Sequence, residues 1–134
     1  MLIQTYQPHH PAIALAALHD TKGFAEAELA SRRELRYPPY SRLALVRFDA
    51  TDEALVRAVT DKLANVARQW ADESIEILGP APAPLARLRG RHRYRFLLRA
   101  SDRTRLRLVL LAVARSGVDR RVRMAIDVDP VSML

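Results

Sequence analysis

The sequence predicts an α+β domain in which a four-stranded sheet carries two helices on one face, preceded by a helical lead-in. Three observations support this prediction. Residues 42–49, 91–100 and 122–128 alternate apolar and polar side chains, which is typical of strands with one buried face. Two intervening segments repeat their apolar residues every three or four positions, as amphipathic helices do. With a short strand at 75–78, the order is βαββαβ, the split βαβ or ferredoxin-like arrangement.

The first 40 residues are predicted to form a lead-in to this domain. Residues 2–6 are rich in β-prone side chains and are followed by Pro8, which predicts a strand whose partner lies in another domain. A helix with proline in its first turn is predicted over residues 11–18, and a second helix over residues 20–36. Residues 37–40 contain two adjacent prolines and end it, because proline disfavours helical backbone in the preceding residue.

The main domain is predicted to span residues 41–134. In its first strand, Ala44, Val46 and Phe48 share the apolar face. The apolar stripe of its first helix consists of Leu55, Val59, Leu63, Val66 and Trp70. After the strand at 75–78, residues 79–84 carry three prolines and are predicted to be a stiff extended passage that cannot donate a full ladder of hydrogen bonds.

The second half of the domain repeats the pattern of strand and helix. In the strand at 91–100, the side chains predicted to pack under the helices are Tyr94, Phe96, Leu98 and Ala100. Ser101 or Asp102 is predicted to cap a helix that runs to about Ser116. Its core-facing residues would be Leu106, Val109, Leu110 and Val113. The strand at 122–128 closes the sheet, whose other face has no helix to cover it.

The charge is strongly basic and unevenly distributed. The 134 residues include 22 basic and 15 acidic side chains, a formal net charge of +7. Between residues 87 and 123, thirteen arginines stand against only Asp102 and Asp119. A charge this uneven indicates a polyanionic partner, usually nucleic acid and less often an acidic protein surface. A GC-rich genome also favours arginine over lysine, but it does not explain the clustering.

The uncovered face of the sheet is predicted to carry much of this charge. If the apolar residues face the helices, alternation places six arginines on the open face: Arg47, Arg93, Arg95, Arg99, Arg121 and Arg123. Tyr94 and Phe96 have the opposite parity, so core packing is favoured over base stacking for them. The result is a positively charged sheet surface.

Arginine occupies every odd position from 87 to 95, around the turn that joins the second and third strands. A loop of odd length at residues 89–91, or a bulge there, is predicted, because an odd loop pairs Arg87 with Arg93 and keeps the guanidinium groups on the polar face. Opposed like charges repel, so the pattern favours a bound anion such as the phosphates of DNA. The candidate DNA-binding residues are Arg87, Arg89, Arg91, Arg93, Arg95 and Arg99. The alternative is a solvated basic edge that prevents aggregation between strands.

A second candidate site lies at the start of the second helix. Arg103 falls in its first turn, where free backbone N–H groups and the helix dipole attract an anion, and Arg107 follows one turn later. This pair suits a carboxylate, including the C-terminus of an acidic peptide. The alternative is a solvated helix face.

Several functional classes are disfavoured. The absence of cysteine excludes a disulfide framework and a thiolate zinc site in this segment, and it agrees with a cytoplasmic location. A bilayer-spanning run of about 20 apolar residues and a secretion signal are both missing, so no membrane is expected. The four histidines lack partners at ligand spacing, and four glycines cannot build a phosphate-binding loop. Neither a catalytic residue nor a metal or cofactor site is predicted here.

One passage is similar to a known family. Residues 77–85, Ile-Leu-Gly-Pro-Ala-Pro-Ala-Pro-Leu, lead into Arg-Leu-Arg-Gly-Arg-His-Arg-Tyr-Arg at residues 87–95. This passage closely resembles the C-terminal domain of primosomal protein N′, the PriA family of replication-restart helicases. Residues 2–5, residues 32–40 with Tyr-Pro-Pro-Tyr, and residues 127–130 with Asp-Val-Asp-Pro agree with it. The resemblance covers essentially the whole chain.

The resemblance implies that the chain is part of a larger ATP-dependent DNA helicase that moves 3′ to 5′ and acts in primosome assembly and the restart of stalled replication forks. ATP, magnesium and zinc would bind to other parts of that protein, and this part would be non-catalytic. Residues 1–40 would be the end of a motor lobe and a linker. Residues 41–134 would be the C-terminal domain, similar in fold to ribosomal protein S10.

The resemblance also implies partners for a cytoplasmic, monomeric protein: DNA at the fork, other primosome proteins, and the acidic tail of single-stranded DNA-binding protein. Arg103 matches the family's basic position for that tail, whereas Arg107 falls where relatives carry a different polar residue. Two alternatives stay open. One is a structural brace that packs on the helicase lobes, and the other is an RNA-binding module of the ribosomal or RRM type. The residues around Arg89 depart from the aromatic RNP1 pattern, which disfavours the second.

Overall fold

The computed structural model describes residues 4–131, and the chain divides into two compact units, residues 1–40 and 41–134. The first unit contains helix α1 (Pro11–Ala17) and helix α2 (Thr21–Glu34), close to the predicted bounds. Asp20 caps α2, since its Oδ1 accepts a hydrogen bond from the backbone N–H of Gly23 at 2.8 Å. The structure thus confirms both helices predicted for this unit.

The strand predicted at residues 2–6 was expected to pair with another domain, so it stays a prediction. Residues 1–3 lie outside the described residues, and residues 4–6 form no strand. Thr5 Oγ1 instead accepts a hydrogen bond from the backbone N–H of Gln7 at 3.0 Å. Such local bonds compete with strand pairing, and β-prone side chains alone do not make a strand without a neighbour to pair with.

The first unit has little apolar burial of its own. No residue of α1 or α2 is buried, and Phe24, Leu29 and Leu35 are among the exposed large apolar side chains. The side chain of Arg32 pairs with Glu28 one turn earlier in α2, at 2.7 Å. Exposed pairs of this kind contribute only about 0.3–0.5 kcal/mol each. The surface pair therefore adds little to the stability of this unit.

The second unit contains the four strands and two helices predicted for it, in the order βαββαβ. They are β1 (Arg42–Ala50), α3 (Glu53–Trp70), β2 (Ile75–Leu88), β3 (Arg91–Ala100), α4 (Arg103–Arg115) and β4 (Arg123–Val128). The sheet order is β2-β3-β1-β4, with antiparallel neighbours throughout. This is an α+β architecture consistent with a split βαβ fold. Among residues 4–131, no helix is long and apolar enough to cross a membrane.

The core lies between the sheet and helices α3 and α4. Phe48 of β1 and Phe96 of β3 are each 1% exposed, and their ring centroids lie 5.7 Å apart. Leu63 of α3 and Val109 of α4 pack into the same cluster. The alternation predicted for β1 and β3 thus directs the expected apolar side chains toward the helices.

The predicted stripe of α3 is confirmed in part, since Leu63 is buried in the core cluster. The stripe residues that pack against this cluster while partly buried are Leu55, Val59 and Val66. The buried residues of α3 are Val56, Thr60, Leu63, Ala64 and Ala67. Trp70, the predicted end of the stripe, is 62% exposed. The hydroxyl of Thr60 donates a hydrogen bond to the carbonyl of Val56 at 2.6 Å, which allows a polar side chain to be fully buried. Small residues at the centre of the face bring α3 close to the sheet, so the larger side chains flank it.

The strand predicted at 75–78 is longer than expected, since β2 continues through the prolines to Leu88. Its register against β3 shifts between Leu78 and Ala81 and again between Pro82 and Arg87. Because β2 is an edge strand, its prolines interrupt no second neighbour. The prediction that residues 79–84 are extended but cannot donate a full ladder of hydrogen bonds is therefore confirmed, while the strand itself runs further than predicted.

The closing strand begins later than predicted. Residues 119–122 form a turn in which Asp119 Oδ1 accepts a hydrogen bond from the backbone N–H of Arg121 at 2.9 Å. The Arg121 guanidinium pairs with the same carboxylate at 2.9 Å. Arg121 therefore lies in the turn before β4 and not on the open face of the sheet, which corrects the prediction for this residue.

Candidate nucleic-acid interface

The open face, the sheet surface opposite α3 and α4, has a basic end formed by two cross-strand rows. In the first row, Asp49 of β1 lies opposite Arg93 of β3 and Arg123 of β4. In the second, Arg47 of β1 lies opposite Arg95 of β3. Arg91, the first residue of β3, lies two residues before Arg93. We define the basic end as Arg47, Asp49, Arg91, Arg93, Arg95 and Arg123.

An apolar row separates the basic end from the rest of the open face. Leu97 of β3 lies opposite both Leu45 of β1 and Leu78 of β2. The next row contains Arg99, four residues from Arg95 and thus about 13–14 Å further along the strand. The basic surface is therefore not the continuous shelf that alternation alone predicts.

The turn between β2 and β3 is a two-residue turn, so the predicted odd loop at 89–91 is wrong. Leu88 pairs with Arg91, and Arg87 pairs with His92. Arg89 and Gly90 have φ of 50° and 75°, the left-handed backbone that a type I′ turn requires at both central positions. The register of β2 against β3 also shifts between Pro82 and Arg87. The face on which Arg87 lies therefore does not follow from the alternation of the residues before it.

The turn geometry separates the predicted DNA-binding arginines. Arg91, Arg93 and Arg95 share the basic end, as predicted. Arg87 shares the opposite face with His92, and Arg89 lies in the turn. Both side chains are exposed and have no hydrogen bond or ion pair with a described residue. Arg87 avoids burial on the helix side because the hairpin tip extends past the packed core.

Three carboxylates neutralise part of the open face. Arg91 Nε donates a short hydrogen bond to Asp49 Oδ2, and Arg91 Nη2 donates to the Asp49 carbonyl at 2.8 Å. Arg47 lies 3.6 Å from Asp127. Arg99 pairs with Glu76 of β2 at 2.5 Å.

Arg93 is the most available cation of the basic end, since its side chain has no hydrogen bond or ion pair with any residue from 4 to 131. It lines a notch of about 300 Å³ together with Arg47, Arg123 and Asp49. Arg47 and Arg123 were predicted to lie on this face but were not placed in the DNA-binding set. The signal that identifies them is cross-strand register, which a single sequence does not provide.

The strand residues that point to the open face include no aromatic side chain. Phe48, Tyr94 and Phe96 all lie on the helix side, as their parity predicts. The Tyr94 hydroxyl donates a hydrogen bond to Glu53 Oε1 at 3.2 Å. Burial and this bond raise the pKa of Tyr94 above its ordinary value. The basic end can therefore bind anions, but it offers no ring for base stacking.

A second basic site lies between α4 and the end of β4. Arg103 and Arg107 line a groove of about 480 Å³ together with Leu106, Leu110 and Val128. Neither arginine forms an ion pair with a described residue. Arg105, which lies between them in sequence, pairs with Asp72 at 3.2 Å. The structure thus places the two predicted residues in one apolar groove and neutralises the arginine between them.

The remaining titratable side chains do not form a metal site within residues 4–131, where no group of three histidine, cysteine, aspartate or glutamate side chains could hold an ion. His92 Nδ1 lies 3.3 Å from Glu53 Oε2, between β3 and the first turn of α3. This contact joins the hairpin to α3.

Fold and charge together define the chain as an α+β domain with a basic sheet face. The chain belongs to the family of primosomal protein N C-terminal domains, whose model matches residues 33–131. This confirms the resemblance inferred from the Gly-Pro-Ala-Pro and arginine passage.

Full-length relatives agree with this family. The chain is 42% identical over 82 residues to the replication restart protein PriA of Synechocystis, covering 61% of the chain and 10% of that protein. It is 33% identical over 138 residues to the Bacillus subtilis protein of the same name, covering 100% of the chain and 17% of that protein. A probable replication restart protein PriA of Deinococcus radiodurans is 36% identical over 133 residues, covering 98% and 14%. The chain thus spans less than a fifth of the length of these relatives.

Among solved structures, the de novo designed protein Foldit4 matches with a TM-score of 0.52 and 12% identity, covering 66% of this chain and 94% of that one. At this identity the match concerns the fold alone.

Proposed function

We propose that this chain is a non-catalytic C-terminal part of a replication-restart DNA helicase of the PriA type, and that it binds DNA through the basic end of its sheet. The observation that carries the proposal is the notch around Arg93, where three arginines face one carboxylate. The parent protein would supply ATP, magnesium and zinc sites elsewhere and would act in the cytoplasm, in primosome assembly. The strand order β2-β3-β1-β4 supports the finer assignment of the fold as ferredoxin-like, similar to ribosomal protein S10.

The chemistry of the basic end favours binding over catalysis. Arginine stays protonated at physiological pH and cannot act as a general acid or base, but its planar fork fits phosphate oxygens. Phosphate contacts of this kind carry no sequence information. Without aromatic side chains to stack on bases, we expect binding that is strongly salt-dependent and insensitive to sequence.

The hairpin tip extends the positive region. Arg89 and Arg87 are exposed and unpaired among described residues, close to Arg91 at the start of β3. Arg99 is less suited to DNA, because Glu76 neutralises it and the apolar row separates it from the basic end. The proposed interface therefore consists of the basic end and the hairpin tip.

We propose a second role for the groove at α4, namely docking of the acidic tail of single-stranded DNA-binding protein. Arg103 and Arg107 offer two unpaired cations beside Leu106, Leu110 and Val128. A peptide that combines carboxylates with an apolar side chain fits such a groove, because the arginines can hold the charges while the apolar floor takes the side chain.

A structural role is the competing proposal. Leu78, in the apolar row of the open face, is 41% exposed, so this row leaves apolar surface that another part of the protein could cover. This surface supports a brace that packs part of the open face on other parts of the protein. An RNA-binding module of the RRM type is less well supported, because such modules stack bases on aromatic side chains of the open face.

Chemical-shift mapping of the full 134-residue chain tests both sites in one experiment. Titration with a single-stranded oligonucleotide should perturb the basic end and the hairpin tip. Titration with an acidic peptide that ends in a carboxylate should perturb the groove around Arg103 and Val128. Two separate footprints would support the proposal, whereas an oligonucleotide that perturbs neither surface, or only α4, would contradict the assignment of the basic end to DNA.

A further inference from the structure

Asp49 occupies the centre of the basic end. Its carboxylate accepts the short hydrogen bond from Arg91 Nε, and its Oδ2 lies 3.9 Å from Arg123 Nε. Arg93 lies directly opposite it on β3. One carboxylate therefore contacts guanidinium groups from the two strands on either side of β1, and the unpaired Arg93 side chain lines the same notch.

The Asp49 carboxylate resembles a bound phosphate in charge and in the way it engages these arginines. Carboxylate and phosphate oxygens both accept charge-assisted hydrogen bonds from guanidinium groups. The Asp49 side chain is 27% exposed and lines the open notch together with Arg93 and Arg123, so an anion from solvent can reach the carboxylate and these two arginines. An anion that enters the notch must therefore share or displace these bonds.

We propose that Asp49 is an internal competitor of nucleic-acid phosphate at the notch and sets how strongly the open face binds polyanions. This inference rests on the proposed DNA binding of the basic end. In the free protein, Asp49 relieves the repulsion among Arg91, Arg93 and Arg123. When DNA binds, the phosphate backbone takes over that role, and the cost of displacing Asp49 weakens the complex.

The local geometry makes this inference testable by a single isosteric change. Asp49→Asn removes the charge but keeps the shape of the side chain. Arg91 also donates to the backbone carbonyl of Asp49 at 2.8 Å, and this bond does not depend on the side chain. The hairpin should therefore keep its place while the guanidinium groups become available to phosphate.

Two matched variants separate local competition from net charge. Asp127→Asn removes a carboxylate from the same face, where it lies 3.6 Å from Arg47. Asp119→Asn removes a carboxylate from the turn before β4, outside the sheet. All three variants change the net charge of the chain equally. A difference in their affinity for the oligonucleotide therefore depends on the position of the carboxylate that was removed.

The experiment measures the affinity of the full chain for a fluorescent single-stranded oligonucleotide over a range of salt concentrations. We expect Asp49→Asn to bind about tenfold more tightly, the gain of one charge-assisted contact. Its slope of log affinity against log salt should steepen by about 0.7, since single strands release about that much counterion per phosphate contact. Asp127→Asn should gain no more than about threefold and Asp119→Asn less than about twofold, because distant charges are screened. Thermal unfolding of each variant checks that the fold is kept.

Two results would overturn the inference: an Asp49→Asn chain that binds no better than Asp119→Asn, or one that binds more weakly than the unchanged chain because the carboxylate orients the arginines. Failure of the proposed DNA binding is a different result, in which the unchanged chain shows no salt-dependent affinity for the oligonucleotide. In that case the salt concentration that elutes each variant from immobilised heparin still decides the role of Asp49. Later elution of Asp49→Asn than of Asp119→Asn supports competition, and equal or earlier elution refutes it.

Discussion

Arg47 of β1 and Arg95 of β3 lie directly opposite each other on the open face of the sheet. Like charges at opposed positions of an antiparallel pair are destabilising, by the same order as the roughly 0.2–1 kcal/mol that favourable pairs contribute. Asp127 lies 3.6 Å from Arg47 and offsets part of this repulsion, but both side chains are partly exposed, so the offset is small. The sheet therefore keeps a local excess of positive charge that a bound polyanion would relieve.

The first prediction follows from this excess: a single-stranded oligonucleotide should stabilise the chain against unfolding. A ligand that binds only the folded state at about 100 times its Kd adds about 2.7 kcal/mol to the free energy of unfolding. Thermal unfolding with and without the oligonucleotide measures the effect, which should disappear at high salt. An oligonucleotide with an uncharged methylphosphonate backbone is the control. Equal stabilisation by both would mean that phosphate charge is not what the chain binds.

The second prediction compares two arginines of β3. Arg93→Ala should weaken oligonucleotide binding about tenfold and make the salt slope shallower by about 0.7, because one phosphate contact is lost. It should change the free energy of unfolding by no more than about 0.5 kcal/mol, since Arg93 has no partner in the described part of the chain. Arg99→Ala is the matched control. Glu76 pairs with Arg99 and the apolar row separates it from the notch, so its loss should change affinity by less than about twofold.

Binding titrations at several salt concentrations, together with chemical denaturation, check both variants. If Arg99→Ala weakens binding as much as Arg93→Ala, the basic end is not a distinct interface and the open face acts only through its total charge.

The sequence predicted most of the second unit because its strands and helices obey simple periodicities. The alternation in β1 and β3 assigned Phe48 and Phe96 to the core, and the capping residue Asp102 marked the start of α4. The predicted apolar stripe on α3 omitted Ala64 and Ala67, because alanine is only weakly hydrophobic, although both residues occupy the centre of the buried face. Side-chain size alone misleads where close packing requires small residues.

The candidate site was harder to predict, because it depends on cross-strand register. A single residue of shift in a strand moves every side chain to the other face. The two-residue turn at Arg89 and Gly90 pairs Arg87 with His92 and so separates it from Arg93. The position of Asp49 among three arginines depends on the pairing of β1 with both β3 and β4, which no local pattern encodes.

The third prediction concerns the groove at α4. Arg103→Ala and Arg107→Ala should each weaken the binding of an acidic peptide with a free C-terminal carboxylate about tenfold, since each removes a charge-assisted contact. Arg105→Ala is the control on the same helix, because Asp72 already neutralises Arg105 at 3.2 Å. Isothermal titration calorimetry with the peptide and with its C-terminal amide gives the affinities. A loss of affinity in Arg105→Ala equal to that in Arg103→Ala would mean that the peptide senses only net charge.

The fourth prediction tests the observed packing of α3. Leu63 is fully buried, so Leu63→Ala should lower the free energy of unfolding by about 2–5 kcal/mol. Trp70 is 62% exposed, so Trp70→Ala should lower it by no more than about 1 kcal/mol despite the larger side chain removed. Urea denaturation of both variants measures the difference. The reverse order would place Trp70 in the core, as the apolar stripe in the sequence suggested.

The last prediction concerns Asp119 in the turn before β4. Hydrogen bonds from the side chain and backbone of Arg121 lower the pKa of this carboxyl from 3.8 to about 2. Because the pKa is lower in the folded chain than in the unfolded one, Asp119 contributes stability that is fully present above the unfolded value and is lost as the pH falls toward the folded one. The unchanged chain should therefore exceed Asp119→Asn in stability at neutral pH, and the difference should shrink between about pH 4 and pH 2.

Chemical denaturation of the two chains across this pH range gives the difference at each pH, and the other carboxylates cancel because both chains contain them. Asp72→Asn serves as a comparison, since hydrogen bonds from Ser74 also lower the pKa of that carboxyl. A difference between the unchanged chain and Asp119→Asn that stays constant down to pH 2 would mean that the charge of Asp119 does not stabilise the turn. The turn would then depend on the shape of the side chain and on the backbone hydrogen bond to Arg121, and Arg121→Ala should leave stability unchanged at every pH.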